Sequence, residues 1–294
     1  MMGEVLALLS AMCYGIAGVA ISRGKAGATG DNGLFLSVVV TFVLTLGLWW
    51  VLGSVSLRQL TEPGSARSLG LFALAGVCAT VLGRTTMYRA TERIGSVKAG
   101  LFRRLIPVFS LPCAFLLLGE WPGPRVLTGG AIIMLGVLCY QLLPRRVSLT
   151  RNLAGDVIGI ASALFYALAY SLRRMGLEDI PDPLFGTLVG AVVGLAWFSL
   201  SAAVSASPAI AFRRLLCDRG PWHWATALSL GVGQTLQFLA LGLAPVSTVA
   251  VLGALDLFFS AALVALFFRG ERFDGWLLCL AGGLAVLGSV MVLS

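Results

Sequence analysis

Residues 88–123 of the chain read YRATERIGSVKAGLFRRLIPVFSLPCAFLLLGEWPG, and residues 238–273 read FLALGLAPVSTVAVLGALDLFFSAALVALFFRGERF. The two stretches share one pattern, because in each an apolar run, at 96–118 and at 246–268, ends on a Gly-Glu pair. A helix of about 20 apolar residues crosses the hydrocarbon core of a bilayer. Each stretch therefore predicts a membrane-spanning helix, and their likeness predicts an internal repeat.

The composition of the whole chain is that of a membrane protein. Of its 294 residues 58% are hydrophobic and 12% are charged, whereas a soluble domain has about 45–50% apolar and about 25% charged residues. Ten spans use roughly two thirds of such a chain and leave only short loops. The sequence predicts an all-α integral membrane protein with ten transmembrane helices, in the apolar runs 4–22, 33–54, 69–90, 96–118, 126–143, 153–172, 183–205, 222–242, 246–268 and 273–293.

The repeat extends through the whole sequence. When Glu4 is set against Asp156, an offset of 152 residues, Tyr14 falls on Tyr166. Further aligned positions, at offsets of 150 or 151, are Gly83 with Gly233, Arg84 with Gln234, and Gly119-Glu120 with Gly270-Glu271. The offset drifts by only two residues, which predicts two similar halves, residues 1–147 and residues 148–294.

The number of runs in each half predicts how the halves are related. Each half contains five runs, and because five is odd the second half must enter the membrane from the side opposite to the first. The expected fold is a pair of inverted five-helix repeats. Proteins built in this way bind their substrate near the bilayer midplane, where the repeats meet, and the arrangement is typical of transporters.

With these features the chain resembles the EamA branch of the drug/metabolite transporter superfamily. The resemblance rests on the ten runs, the two five-helix halves and the Gly-Glu pair that closes the fourth run of each half. Pro107, thirteen residues before Glu120, matches a proline usual in this family, whereas the second half has Phe258 at the aligned position. The resemblance implies a polytopic carrier with a central cavity. It implies no single substrate, because members move amino acids, other metabolites and drugs.

Basic residues distinguish the first half from the second. They are Arg84, Arg89, Arg93, Lys98, Arg103 and Arg104, and the aligned positions are Gln234, Leu239, Leu243, Thr248, Ala254 and Leu255. The fold does not need a cation at these places, so Arg84 and Arg103 are candidates to bind a carboxylate or phosphate group of a substrate. Arg103 and Arg104 are about 100° apart on a continuous helix and cannot face one direction. Arg103 shares its face with Pro107.

One acid and several polar side chains complete the candidate site. Asp256 lies about 15 Å along the ninth run, near mid-membrane. It is a candidate proton-coupling residue, and the alternative is a structural carboxylate paired with an arginine on another helix. Tyr14, Tyr88, Tyr166, Gln234 and Gln237 are further candidate substrate-binding residues, and for each tyrosine the alternative is helix packing with a satisfied hydroxyl. The sixth run ends at residue 172, which puts Arg173 and Arg174 in the connection after it.

These observations favour a secondary transporter that moves a small metabolite, an amino acid or an organic anion, by alternating access. The alternatives are a flippase for an anionic lipid and a membrane scaffold or sensor that transports nothing. An enzyme is not expected, because the sequence shows no nucleophile–base pair, and its single histidine, His223, excludes an HExxH site. We expect no cofactor, metal or nucleic acid, and we expect a substrate and membrane lipids as partners. The net charge of +8 fits the positive-inside rule, and the expected location is the plasma (inner) membrane of a bacterium.

Overall fold

The computed structural model describes residues 1–55, 65–142, 152–267 and 275–293, and within these ranges all regular structure is helical. A π-helical turn, Val77–Gly83, joins α3 to α4, and a short 3-10 turn, Lys25–Gly27, follows α1. The helices are α1 Met2–Gly24, α2 Leu34–Leu52, α3 Ser65–Gly76, α4 Arg84–Arg103, α5 Leu105–Leu118, α6 Pro124–Leu142, α7 Leu153–Asp179, α8 Pro183–Ala203, α9 Pro208–Leu216, α10 Pro221–Leu243, α11 Val246–Gly253, α12 Asp256–Phe267 and α13 Gly275–Leu293.

Seven helical segments in the described ranges are long and apolar enough to cross a membrane. They are Met2–Gly27, Leu34–Leu52, Ser65–Ala90, Leu153–Asp179, Pro183–Ala203, Pro221–Leu243 and Val246–Val264. Three shorter apolar helices, Leu105–Leu118, Pro124–Cys139 and Leu280–Leu293, overlap the fourth, fifth and tenth predicted runs. The chain is therefore a multi-pass membrane protein, and the count of ten spans stays a prediction.

Two of the predicted spans are interrupted near their middles. In the fourth run α4 ends at Arg103 and α5 begins at Leu105, and in the ninth run α11 ends at Gly253 and α12 begins at Asp256. The second break is a tight turn, because the backbone N–H groups of residues 254 and 255 each donate to a carbonyl three residues earlier. Pro107 lies in the first turn of α5, where its missing N–H leaves no intrahelical bond unmade. The two breaks stand at aligned positions of the sequence repeat.

Contacts between the two parts of the chain occur in matched pairs. The Oγ of Ser10 donates to the carbonyl of Gly233 at 2.8 Å, and the Oγ of Ser162 donates to the carbonyl of Gly83 at 2.9 Å. Ser162 is the aligned partner of Ser10, and Gly233 is the aligned partner of Gly83. The same hydrogen bond is therefore made twice, with the roles of the halves exchanged.

Helices α6 and α13 make a similar pair of matched contacts between small residues. A Cβ atom on Gly288 would lie 2.5 Å from the carbonyl oxygen of Gly129, and one on Gly136 would lie 2.9 Å from that of Ala281. The later residue of α6 meets the earlier residue of α13, so the helices run antiparallel. Such close backbone contact is possible only because these positions lack bulky side chains.

A buried carboxylate fastens the loops at each end of α2. Asp218 accepts three backbone N–H groups from residues 29–32, at 2.8–3.0 Å. Asp182 accepts those of Ser54 and Val55, at 2.8 and 3.2 Å, and also caps α8 through the N–H of Phe185. The 19 residues of α2 span about 28 Å, so the two carboxylates lie at opposite ends of the helix bundle.

Candidate functional site

Four arginines lie inside the helix bundle, and we refer to Arg84, Arg103, Arg104 and Arg173 as the arginine cluster. Arg84, Arg104 and Arg173 are 5%, 7% and 3% exposed, and the side chain of Arg103 is 19% exposed. One carboxylate among the described residues, that of Asp256, forms ion pairs with members of the cluster. The cluster therefore has more positive charge than the described residues neutralise, and a buried charge is costly unless it is paired and hydrogen-bonded.

Asp256 connects the two helix breaks. The Nη1 of Arg104 donates to Oδ1 of Asp256 and, at 3.3 Å, to the carbonyl of Ala254. The Nη2 of Arg103 lies 3.6 Å from Oδ2 of the same carboxylate. The expectation that Arg103 and Arg104 cannot face one direction is wrong, because the helix is interrupted at Arg104 and the angular spacing of a continuous helix does not apply there. The pairing matches the structural alternative considered for Asp256, and its proton-coupling role stays a prediction.

A narrow cavity lies between the two breaks. It encloses about 310 Å³ of empty space, including its mouth, and inside it there is room for about one water molecule. It is lined by polar and small apolar residues from both parts of the chain: Tyr14, Arg103, Arg104, Ile106, Pro107, Tyr170, Gln237, Ala250, Gly253, Ala254 and Asp256. Of the predicted site residues, Tyr14, Arg103, Gln237 and Asp256 meet in its wall.

Gln237 organises the aromatic side of this cavity. The hydroxyl of Tyr14 donates to its Oε1 at 3.3 Å, and its Nε2 donates to the hydroxyl of Tyr170 at 2.6 Å. The guanidinium carbon of Arg103 lies 5.9 Å from the centre of the Tyr14 ring, within the range of a cation–π contact. Tyr14 therefore touches both the amide of Gln237 and the cation of Arg103.

Arg84 and Gln234, which the repeat aligns with each other, bind each other directly. The Nη2 of Arg84 donates to Oε1 of Gln234 at 2.5 Å, and its Nη1 donates to Oγ of Ser37 at 2.8 Å. Both side chains are buried, and neither of them lines the cavity.

Two predicted tyrosines lie outside the cavity wall. Tyr166 packs its ring against Gly83, where an added Cβ would come within 3.2 Å of the ring. The hydroxyl of Tyr88 is buried and has no hydrogen-bond partner in the part of the chain that the structure describes. Their role in substrate binding stays a prediction.

Sequence reasoning missed Arg104 and Arg173 as site residues. Arg173 is not in a connection, because α7 continues to Asp179 and carries this side chain into the core. Its Nη1 donates to Oε1 of Gln237 at 3.0 Å, and its guanidinium carbon lies 5.0 Å from the centre of the Phe238 ring. The sequence did contain a signal for this, because Asp182 followed by Pro183 is a typical start of a helix. It indicates that α8 begins at Pro183.

The fold and the site are those of a membrane protein with a polar cavity between two broken helices, as expected of a carrier. Residues 1–141 match the model of the EamA-like transporter family, and residues 215–294 match that of the magnesium transporter NIPA. The match over residues 1–141 confirms the resemblance to EamA-type transporters. Both models describe transporter families, so the chain is a membrane transporter by class.

Comparison with solved structures shows a shared fold. One similar structure is the crystal structure of a protein that is 16% identical in sequence. The alignment covers 98% of this chain and 94% of that protein's chain, with a TM-score of 0.71. No curated protein matches the sequence.

Proposed function

We propose that this transporter is a secondary carrier of a small organic anion, an amino acid or another acidic metabolite, that works by alternating access in a bacterial plasma membrane. The observation that carries the proposal is the charge of the site. Arg103 and Arg104 line the cavity, the buried Arg84 and Arg173 lie inside the same bundle, and among the described residues only the carboxylate of Asp256 pairs with members of this cluster. Guanidinium groups bind carboxylate and phosphate in a bidentate manner, so an anionic substrate supplies the charge that the protein lacks there.

The proposed architecture is ten spans in two inverted repeats, residues 1–147 and 148–294. The matched hydrogen bonds of Ser10 and Ser162 support it, as do the glycine contacts between α6 and α13. The aligned breaks support it as well, because transporters with inverted repeats bind substrate at discontinuous helices. Rocking of one repeat against the other would then open the cavity to each side in turn.

Competition for the arginines gives a mechanism for proton coupling. A substrate carboxylate that binds Arg103 and Arg104 must replace Asp256 as their partner. Without a cationic neighbour, a buried carboxylate favours its neutral form, so Asp256 would take up a proton when substrate binds. Release of substrate would restore the ion pairs and expel the proton. Substrate and proton would therefore cross together.

The other candidate functions fit the geometry less well. The site is rich in arginine, which repels Mg²⁺, and the described residues contain no group of three or more His, Cys, Asp and Glu side chains that could hold a metal ion. A lipid flippase would need a lateral opening beside Arg103 and Arg104, whereas Arg104 is buried. A scaffold that transports nothing would have no use for a polar cavity between the breaks.

A thermal-shift experiment with matched ligands tests the proposal. Purified protein is screened against carboxylates, phosphate esters and amino acids, each beside its uncharged amide or alcohol. We expect at least one anion to raise the melting temperature by mass action while its neutral counterpart does not, and we expect Arg103→Gln to abolish that shift. Stabilisation by neutral or cationic ligands alone would overturn the proposal.

A further inference from the structure

Two members of the arginine cluster have no acidic partner. Arg84 is bonded to Gln234 and Ser37, and Arg173 is bonded to Gln237 and covers the ring of Phe238. No ion pair joins either of them to a carboxylate within the described residues. A guanidinium held only by neutral groups in a dry interior is poorly compensated, and both are less than 6% exposed.

The two glutamines occupy the same face of one helix. Gln234 and Gln237 are three residues apart on α10, so their side chains are neighbours, with about 5–6 Å between Cβ atoms. Each presents its Oε1 to one of the arginines, Gln234 to Arg84 and Gln237 to Arg173. The amide oxygens thus stand where the oxygens of an anion would bind.

Gln237 separates Arg173 from the cavity. It lines the cavity, while Arg173 lies behind it. A swing of this one side chain would bring the guanidinium of Arg173 into contact with a bound ligand. The sequence agrees with a role of Arg173 in binding, because the repeat aligns this arginine, at an offset of 152, with the apolar residue Ile21. The fold therefore accepts an apolar residue at this place.

We infer that Arg84 and Arg173 form a second anion-binding subsite, masked by Gln234 and Gln237, and that the substrate carries two anionic groups held apart. One group binds Arg103 and Arg104 in place of Asp256, and the other displaces the glutamine oxygens from Arg84 and Arg173. Tyr14 lies between the subsites, with its ring beside Arg103 and its hydroxyl on Gln237. The substrate is thus a dianion such as a dicarboxylate. This inference rests on the proposed function, which requires only one anionic group.

Affinity measurements with two homologous series test the inference. Straight-chain monocarboxylates and α,ω-dicarboxylates of three to eight carbons are titrated into the purified full-length protein. In the wild type, the dicarboxylate of one particular chain length should bind about ten- to hundredfold more tightly than the monocarboxylate of the same length. This ratio corresponds to the free energy of one charge-assisted hydrogen bond. Arg173→Gln should remove this advantage, so that the dicarboxylate and the monocarboxylate of that length bind with similar affinity, and Arg173→Lys should keep part of it.

Arg174→Gln is the matched control. Arg174 is the next residue, but it binds the backbone carbonyls of Leu241 and Gly242 and not the glutamines, so the dicarboxylate advantage should persist. Equal binding of the two series to the wild type, or an advantage that survives Arg173→Gln, would overturn the second subsite and leave the single-anion carrier standing. If neither series binds and other anions also fail, the proposed function falls and this inference falls with it.

Discussion

Arg104 and Asp256 form an ion pair that ties the break between α4 and α5 to the break between α11 and α12. The same Nη1 of Arg104 also binds the backbone carbonyl of Ala254, within the second break. The pair therefore holds both interruptions together at the cavity. In the proposed mechanism, a substrate that competes for Arg104 would also loosen this contact between the two parts of the chain.

The first prediction concerns the charge of Asp256. Asp256→Asn keeps the shape of the side chain but removes the anion shared by Arg103 and Arg104. We expect the variant to lose accumulation of substrate driven by a pH difference, because its side chain cannot exchange a proton. Uptake into proteoliposomes with and without an imposed pH gradient checks this. Accumulation equal to that of the wild type would give Asp256 another role.

Breaking this buried pair should also cost stability. Removal of one partner of a buried ion pair destabilises a protein by about 3–5 kcal/mol, because a buried charge is left uncompensated. Asp256→Asn should therefore lower the melting temperature, and the double variant Asp256→Asn/Arg104→Gln should recover part of the loss. Additive losses in the double variant would show that the two side chains are not coupled.

The second prediction tests Arg84, the arginine that bonds to its own repeat partner. Arg84→Gln copies the residue that the second half carries at Gln234. It should weaken substrate binding about ten- to hundredfold, the worth of one charge-assisted hydrogen bond, with little change in melting temperature. Arg89→Gln is the control, because Arg89 lies on the same helix but is exposed, and should bind as the wild type does. Equal affinities of the two variants would remove Arg84 from the site.

The third prediction uses the close contact of α6 and α13. Gly288→Ala places a methyl group 2.5 Å from the carbonyl oxygen of Gly129, and such overpacking costs about 1–3 kcal/mol. Gly282→Ala on the same helix meets nothing within 4 Å and should gain up to about 1 kcal/mol from helix propensity. Thermal unfolding should therefore shift in opposite directions. Shifts of the same sign would contradict the antiparallel glycine packing.

The fourth prediction concerns pH and the connection between α1 and α2. Burial, with a contribution from the nearby Asp218, raises the pKa of Asp31 from 3.8 to about 6 although the N–H groups of Phe35 and Gly33 bind its carboxylate. A raised pKa means that the folded protein favours the protonated acid, so this contribution to stability is complete below pH 3.8 and is lost as the pH rises through about 6.

Asp31→Asn isolates that contribution. The wild type should gain more stability than the variant when the pH falls from 7 to 5, and His223, near Asp218, is common to both proteins. Asp218 does not act in this window: burial works to raise its pKa, but hydrogen bonds from the N–H groups of residues 29–32 bring the pKa below its ordinary value of 3.8. Identical pH profiles of melting temperature for wild type and variant would contradict the assignment.

Hydropathy predicted the positions of the helices because lipid and neighbouring helices both demand apolar side chains. It could not predict the break at Arg104, because a continuous and an interrupted helix have the same hydropathy. The local signal for this break is Pro107, which lacks the N–H that would bond to the carbonyl of Arg103 in a continuous helix. Hydropathy also ended the sixth run too early at residue 172, since an arginine lowers the local hydropathy whether it is buried or exposed. Arg173 is tolerated inside because Gln237 and Phe238 surround it.

The repeat was the more informative part of the sequence. Aligning the halves singled out Arg84 as a cation that the second half lacks, and the structure places this arginine against its aligned partner Gln234. The alignment could not show that Tyr88 and Tyr166 lie outside the cavity wall, because a shared position in two repeats fixes the helix but not the direction of the side chain. The alignment likewise could not show that Arg104 contacts Asp256, because this contact depends on how the two broken helices meet.

Transport into proteoliposomes tests the central claim, that the arginine cluster carries an anion, most directly. Wild-type protein and Arg103→Gln are reconstituted, and uptake of a panel of radiolabelled carboxylates and phosphate esters is measured beside uptake of Mg²⁺. We predict saturable uptake of at least one anion by the wild type, its loss in Arg103→Gln, and no uptake of Mg²⁺. Uptake of Mg²⁺ alone, or anion uptake that is unchanged in Arg103→Gln, would contradict the account.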